Sequence, residues 1–258
     1  MSTPKQNKLN QFLQNHPMGS VVTSRFLADN HISNDLARIY VASNWLTRIG
    51  RGAYIRTGDT VEWQGAVYSM QSQLSLSVHA GGLTALQMKG LGHYIPMGEA
   101  TVHLFSDGQE RLPDWFAKTD WRTPIEHHNG ALFDLPAGAS LSAWPHKEFE
   151  IKVSTPERAA FEMLSLVKNN ADFDYASTVF EGLANLRPKE VQQLLVACRS
   201  VRVKRMFLWM AKEFDHPWME YLDMNAVDLG KGKRVIYANG RFDKEFQITV
   251  PKENLDGY

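Results

Sequence analysis

The spacing of hydroxyl caps, glycines and apolar residues between Thr23 and Arg56 constrains this chain more than any other feature. Thr23 precedes Phe26 and Leu27, and Ser33 precedes Leu36, Ile39 and Tyr40. Each is a hydroxyl placed just ahead of a short apolar stripe, the mark of a capped helix. Trp45, Leu46, Ile49, Tyr54 and Ile55 then alternate with Thr47, Arg48, Arg51 and Arg56, while Gly50-Arg51-Gly52 bends the run into a hairpin with a basic tip. Two short helices joined by a tight turn and followed by such a hairpin form the pattern of a winged helix-turn-helix, a module that reads DNA. Upstream, Leu9, Phe12 and Leu13 recur at helical spacing from Lys5 to Asn15, before His16-Pro17 stops the run. That segment would be the scaffold helix of the module.

With Leu36, Ile39 and Tyr40 turned inward, the second capped helix presents Ser33, Asn34, Arg38, Val41 and Ala37 outward. Asparagine and arginine pair bidentately with adenine and guanine edges, so Asn34 and Arg38 are suited to a major groove. Arg48, Arg51 and Arg56 on the hairpin are candidates for phosphate contact, and Arg25 on the first helix is placed to cross a phosphate strand. Residues 1–60 hold seven bases against three acids, although the whole chain has a formal net charge of zero. Two further stretches contain bases and no acid: Arg199, Arg202, Lys204, Arg205 and Lys212, then Lys231, Lys233, Arg234 and Arg241. Such segregation can steer a polyanion to one face. It is equally the signature of a solvated helix face. Lys204 and Arg205 accordingly have two readings, a second surface for DNA or RNA, or the outer side of an amphipathic core helix.

At 258 residues, 43% of them hydrophobic, the chain can build more than one core. Thr57-Gly58-Asp59-Thr60 marks a boundary, dividing a winged helix-turn-helix domain at residues 1–58 from a larger one at 59–258. In the second, helices are expected at Val61 to Leu76 and Leu83 to Met88, a short one at Trp115-Phe116, and strands at Ala100 to Phe105 and Phe149 to Val153. Asn129-Gly130 and Asn239-Gly240 are hairpin-turn signals, and the chain is expected to close with a hairpin of Arg234 to Tyr237 and Phe246 to Val250. Ser154-Thr155-Pro156-Glu157 opens a helix, and a helical block follows from Tyr175 to about Leu222. Strands to about residue 153 and helices after it, without regular alternation, give an α+β class. The single cysteine, Cys198, lies in an apolar helical run and is expected to pack as a small hydrophobe. The polar start of the chain and the lack of any long apolar run lead to the expectation of a soluble, cytoplasmic protein without membrane contact.

The chain resembles the AbiEi family of antitoxins of bacterial abortive-infection, type IV toxin-antitoxin pairs. The resemblance is carried by Trp45-Leu46 with Gly50-Arg51-Gly52-Ala53-Tyr54, by Trp63-Gln64-Gly65-Ala66 and Gly81-Gly82-Leu83-Thr84-Ala85-Leu86, by Ser154 to Ala159, by Cys198 to Arg205, and by His216-Pro217-Trp218. It implies an N-terminal domain that represses its own operon by binding inverted repeats in double-stranded promoter DNA. It also implies a C-terminal domain that counters a nucleotidyltransferase-like toxin without need of direct contact. Neither cofactor nor catalytic residues carry over from it.

Two other classes remain open on sequence: a stand-alone transcription factor with a ligand-sensing second domain, and a metal-dependent nuclease. Pro113-Asp114 followed by Glu150-Ile151-Lys152 is a loose match to the PD…ExK nuclease pattern, whose carboxylates would hold Mg²⁺. No zinc spacing is evident among the nine histidines. His127 and His128 are adjacent on a strand and would point to opposite faces, with no cysteine pair to join them.

Overall fold

A computed structural model describes residues 16–92 and 101–252. The expected Lys5 to Asn15 helix lies outside these residues. The chain enters through β1 (Val22–Thr23) and α1 (Ser24–Asp29), where the Thr23 hydroxyl accepts from the Phe26 amide at 3.2 Å. A turn through His31, in the left-handed region at φ 59°, leads to α2 (Asn34–Ala42), capped by the Ser33 hydroxyl on the Leu36 amide at 3.2 Å. β2 (Leu46–Gly50) and β3 (Ala53–Arg56) follow as an antiparallel pair, completing a three-stranded sheet in the order β1-β3-β2. Val22, Leu27, Ile32, Ala37, Tyr40, Leu46 and Tyr54 form the core of this lobe. Each large apolar side chain among them, fully buried, stabilises by roughly 1.5–3 kcal/mol before entropy is counted.

The lobe is stitched to α3 (Trp63–Gln73) through backbone groups that a two-residue strand leaves unpaired. Ser69 Oγ accepts from the Val21 amide at 3.0 Å and donates to the Val21 carbonyl at 2.6 Å. Gln73 accepts from the Thr23 amide at 2.9 Å and donates to the Val21 carbonyl at 2.8 Å. The approach is close enough to require Gly65, since a Cβ there would lie 1.8 Å from the Gly19 carbonyl oxygen.

A five-stranded mixed sheet is the centre of the remainder, in the order β6-β5-β4-β8-β7. Its strands are β4 (His79–Ala80), β5 (Val102–Ser106), β6 (Ile125–Asn129), β7 (Leu141–His146) and β8 (Phe149–Ser154). One face carries α3 and α5 (Asp114–Lys118), with Trp63, Met70, Leu104, Trp115, Phe116 and Ile151 between them. The sheet also carries α4 (Gly82–Met88) and α6 (Pro156–Ser165), which pack on each other. Around α6 gather α7 (Asn170–Glu181), α8 (Pro188–Ala197) and α9 (Val201–Glu213), whose core includes Phe161 stacked on Phe207 at 4.1 Å. Cys198 is buried in that core, where desolvation raises its thiol pKa. The chain is thus mixed α/β, and no helix among the described residues is long and apolar enough to cross a membrane.

Sheet and helices are joined by buried charge. Glu162 on α6 accepts from Arg158 Nε at 2.7 Å, from the Ser154 hydroxyl at 2.7 Å and from the Gly82 amide at 2.9 Å, with His79 Nε2 at 3.1 Å. Burial alone would raise its pKa, but the hydrogen bonds and charges of His79 and Arg158 prevail and hold it at about 2. Arg158 continues to Asp107 and to the Ala139 carbonyl.

Two turn expectations fail. Asn129-Gly130 does not close a hairpin, because β6 pairs in parallel with β5 while β7 pairs with β8. At the C-terminal end the antiparallel partner of β10 (Ile248–Val250) is β9 (Arg241–Asp243), not Arg234 to Tyr237. The Arg234 segment runs parallel to β10 instead, with a single bridge to Ile248, and Asn239 at φ 58° reverses the chain into β9.

Candidate nucleic-acid interface

Helical phase decides what α2 offers to a ligand. Ala37 and Tyr40 are buried and Leu36 and Val41 half-buried, so the inward stripe runs along 36, 37, 40 and 41. Ile39, expected inside, is therefore on the opposite side and 48% exposed, and Ala37, expected outside, is fully buried. A 100° step per residue puts positions 37 and 39 about 200° apart, and the glycine-free run from Ser33 leaves no break to reset the phase. Ser33, Asn34, Asp35, Arg38 and Ile39 are exposed. Arg38 Nη1 meets Asp35 Oδ1 at 3.1 Å, an exposed pair within the first turns of the helix. Ile39 is the residue that reading from caps alone missed. The signal that locates it is the Ala37–Tyr40 spacing, which fits a buried stripe as well as the larger Leu36–Ile39–Tyr40 set does.

The hairpin lies beside this helix, and its tip is anchored. A Cβ on Gly50 would come within 2.6 Å of Trp115 Cβ on α5, so only glycine lets the strand lie against that helix. On the other side the Gly52 carbonyl accepts from the Ser24 amide at 2.8 Å, tying the tip to the start of α1. Gly52 also has φ 73°, which favours glycine. Arg48 and Arg51 remain exposed on this rigid support, and Arg48 Nε donates to the Gly50 carbonyl at 3.0 Å. Arg25 is exposed on α1. Arg56 is half-buried and reaches the His16 carbonyl at 3.4 Å, so part of its hydrogen-bonding capacity serves the segment before β1. The His16 imidazole is itself lowered to a pKa of about 4, chiefly by burial and further by the nearby Arg56 charge.

The basic residues of the C-terminal part do not form one surface. Arg205 is 2% exposed: its Nε donates to the Leu229 carbonyl at 2.8 Å, Nη1 to Gly232 at 2.5 Å and Nη2 to Gly230 at 3.1 Å. The guanidinium fork satisfies a turn of loop backbone that has no strand to pair with. Lys204 is 5% exposed, and both residues are thereby corrected from surface to interior. Arg202 is half-buried and lines a cavity with Lys168, Asn170 and Val235. Arg199 is exposed but paired with Asp134 at 2.9 Å. Lys231, Lys233 and Arg234 are exposed, with Lys233 Nζ 4.9 Å from the Phe242 ring. Of the nuclease-like trio, Glu150 and Lys152 stand on the outer face of β8 and line a cavity with Gln71 and Glu110. Asp114, the first residue of α5, does not line it and pairs with Arg111 ahead of the helix and with Lys118 on it.

Two family models together match nearly the whole chain. One, described as the N-terminal domain of the transcriptional regulator AbiEi antitoxin, matches residues 5–97. The other, described as transcriptional regulator, AbiEi antitoxin, type IV toxin-antitoxin system, matches residues 99–251. Among solved structures, the RV2827C protein from Mycobacterium tuberculosis is similar with a TM-score of 0.55 at 11% identity, over 96% of this chain and 92% of that one. At that identity the likeness concerns the fold alone. No curated protein matches the chain.

Proposed function

Because the chain belongs to the AbiEi family of antitoxins and transcriptional regulators of type IV toxin-antitoxin systems, we propose that it represses its own operon through residues 1–58, acting as a winged helix-turn-helix on inverted repeats of promoter DNA. In this reading α2 enters the major groove with Ser33, Asn34 and Arg38 toward base edges, and Arg25, Arg48, Arg51 and Arg56 contact phosphates. Residues 59–258 counter a nucleotidyltransferase-like toxin without a stable complex between the two proteins, and Arg199, Lys231, Lys233 and Arg234 are the members of the C-terminal basic set that stay exposed for that task.

The observation that carries the DNA reading is the exposed polar face of α2 lying beside a hairpin on which Arg48 and Arg51 face solvent and whose tip packs on Trp115 and is tied to Ser24. A preorganised cationic surface loses little entropy on docking. The test is fluorescence anisotropy of the full-length protein on the duplex immediately upstream of its gene, beside a scrambled duplex, across a salt series. Preference for the upstream duplex is expected. The Arg48→Ala/Arg51→Ala variant should bind more weakly, its salt slope falling by up to about 0.9 for each phosphate no longer neutralised. An unchanged slope in that variant removes the hairpin from the interface.

A further inference from the structure

The parallel pairing of β5 and β6, which no turn signal foretold, gathers three ligand-type side chains at one point of the sheet edge. In register, His103 lies opposite Glu126 and Phe105 opposite His128. Alternate residues of a strand share a face, so His103, Glu126 and His128 all emerge on the same side. His127 emerges on the other, where its Nε2 lies 2.8 Å from the Ser106 hydroxyl. His103 Nδ1 and His128 Nε2 are 3.0 Å apart, and Glu126 Oε2 is 3.8 Å from each. A zinc ion with ligands at about 2.0–2.1 Å in tetrahedral array has ligand atoms about 3.3 Å from one another. The observed triangle brackets that spacing, so a cation fits with shifts of a few tenths of an ångström.

The site also has support and an opening. β5 is fixed at His103 by its amide, which donates to the Thr84 hydroxyl at 2.8 Å, and by its carbonyl, which accepts from the Gly81 amide at 3.1 Å. The His128 ring packs on Phe105 with centroids 4.7 Å apart. Both imidazoles are largely covered, at 18% and 24% side-chain exposure, whereas Glu126 is 60% exposed and forms the mouth. Two nitrogens and one carboxylate oxygen are a donor set for first-row transition metals rather than for Mg²⁺ or Ca²⁺, which prefer all-oxygen shells.

We propose that His103, Glu126 and His128 bind one divalent transition-metal ion of the zinc type, with solvent completing its shell, and that the ion clips the edge strand β6 to β5. Without an ion, the two imidazoles share a single N–H···N hydrogen bond and the carboxylate stays in water. The two states differ in ways that can be measured on the full-length, chelator-treated protein titrated with Co²⁺ or Zn²⁺. Expected are saturable binding of one ion per chain, a cobalt absorption spectrum with imidazole ligation, and a melting temperature that rises with metal concentration because the folded state alone holds the site. His128→Ala should abolish this binding and Glu126→Ala should weaken it by at least about tenfold. His127→Ala should leave it intact. Should His128→Ala fail to fold, Glu126→Ala decides the matter, since its side chain is mostly in solvent. The proposal is overturned by an absence of saturable binding, by equal affinity in Glu126→Ala and the parent protein, or by a loss in His127→Ala as large as that in His128→Ala.

Discussion

The N-terminal lobe and the helical half of the protein are both rich in arginine, but they use it in opposite ways. Arg25, Arg38, Arg48 and Arg51 hold their charge in water, on elements already stabilised by caps, a small apolar core and the Ser69–Gln73 clamp. Arg158 and Arg205 are buried and satisfied by carboxylates and loop carbonyls, and Arg187 is tied to the buried Glu157 at 2.9 Å. A buried cation whose donors the fold already satisfies cannot also serve a polyanion. Charge counted along the chain therefore overstates the second basic region far more than the first.

The sharpest way to break this comparison is to remove charge from each region and follow stability. Glu162→Ala would leave Arg158 Nε, the Ser154 hydroxyl and the Gly82 amide without their acceptor in the interior, and loss of one member of a buried pair costs roughly 3–5 kcal/mol. Arg48→Ala/Arg51→Ala removes only exposed groups and should stay within about 0.5 kcal/mol of the parent. Urea unfolding of the two variants should show a large fall in midpoint for the first and almost none for the second. Comparable losses would mean that the hairpin arginines are structural after all.

The same contrast explains what the sequence could and could not disclose. Local chemistry was legible: Thr23 and Ser33 cap where hydroxyls precede apolar stripes, a helix opens after Ser154-Thr155, and Phe149–Ser154 alternates as a half-buried strand should. The family resemblance carried by short motifs was legible too. Long-range partners were not. Lys204 and Arg205 have no neighbour in sequence that reveals their burial, because the carbonyls that receive Arg205 lie on residues 229, 230 and 232. Glu126 and His128 carry the alternate-position spacing of two ligands on one strand face. Their meeting with His103 depends on a parallel register that no local signal encodes. Ile39 failed for a subtler reason: two apolar stripes fit α2 equally, and only packing against β2 and β3 selects one.

Acid should loosen the molecule in two stages. His16 is neutral when folded, with a pKa of about 4 against 6.5 for a free imidazole, so between those values the unfolded chain binds more protons. Its contribution is complete above pH 6.5 and is lost as pH falls toward 4, by roughly 3 kcal/mol in all. His146 and His216, also lowered by burial, add to the same window. Glu162, held at about 2 against 4.5, keeps its contribution until pH falls below 4.5 and loses it toward 2. Urea midpoints measured from pH 7 to pH 4.5 should decline, and His16→Gln should decline less steeply because it has no imidazole to charge. An identical slope in that variant would show that His16 is already solvated near the lobe.

The smallest expected effect concerns the charge balance on α2 itself. Asp35 is the acid on the exposed face, and it pairs with Arg38 while both side chains are more than four-fifths in solvent, at 86% and 81%. A pair so exposed adds little to stability, and an acid there repels a phosphate backbone and competes for the guanidinium. Asp35→Asn keeps the shape of the side chain and removes the charge, at the cost of a modest favourable interaction with the N-terminus of the helix. Its thermal unfolding should therefore change little, while affinity for the upstream duplex rises a few-fold and the advantage narrows as salt is added. Weaker binding would mean that Asp35 itself accepts a hydrogen bond from a base, as from a cytosine amino group. No change at all would place the DNA on another face of the lobe.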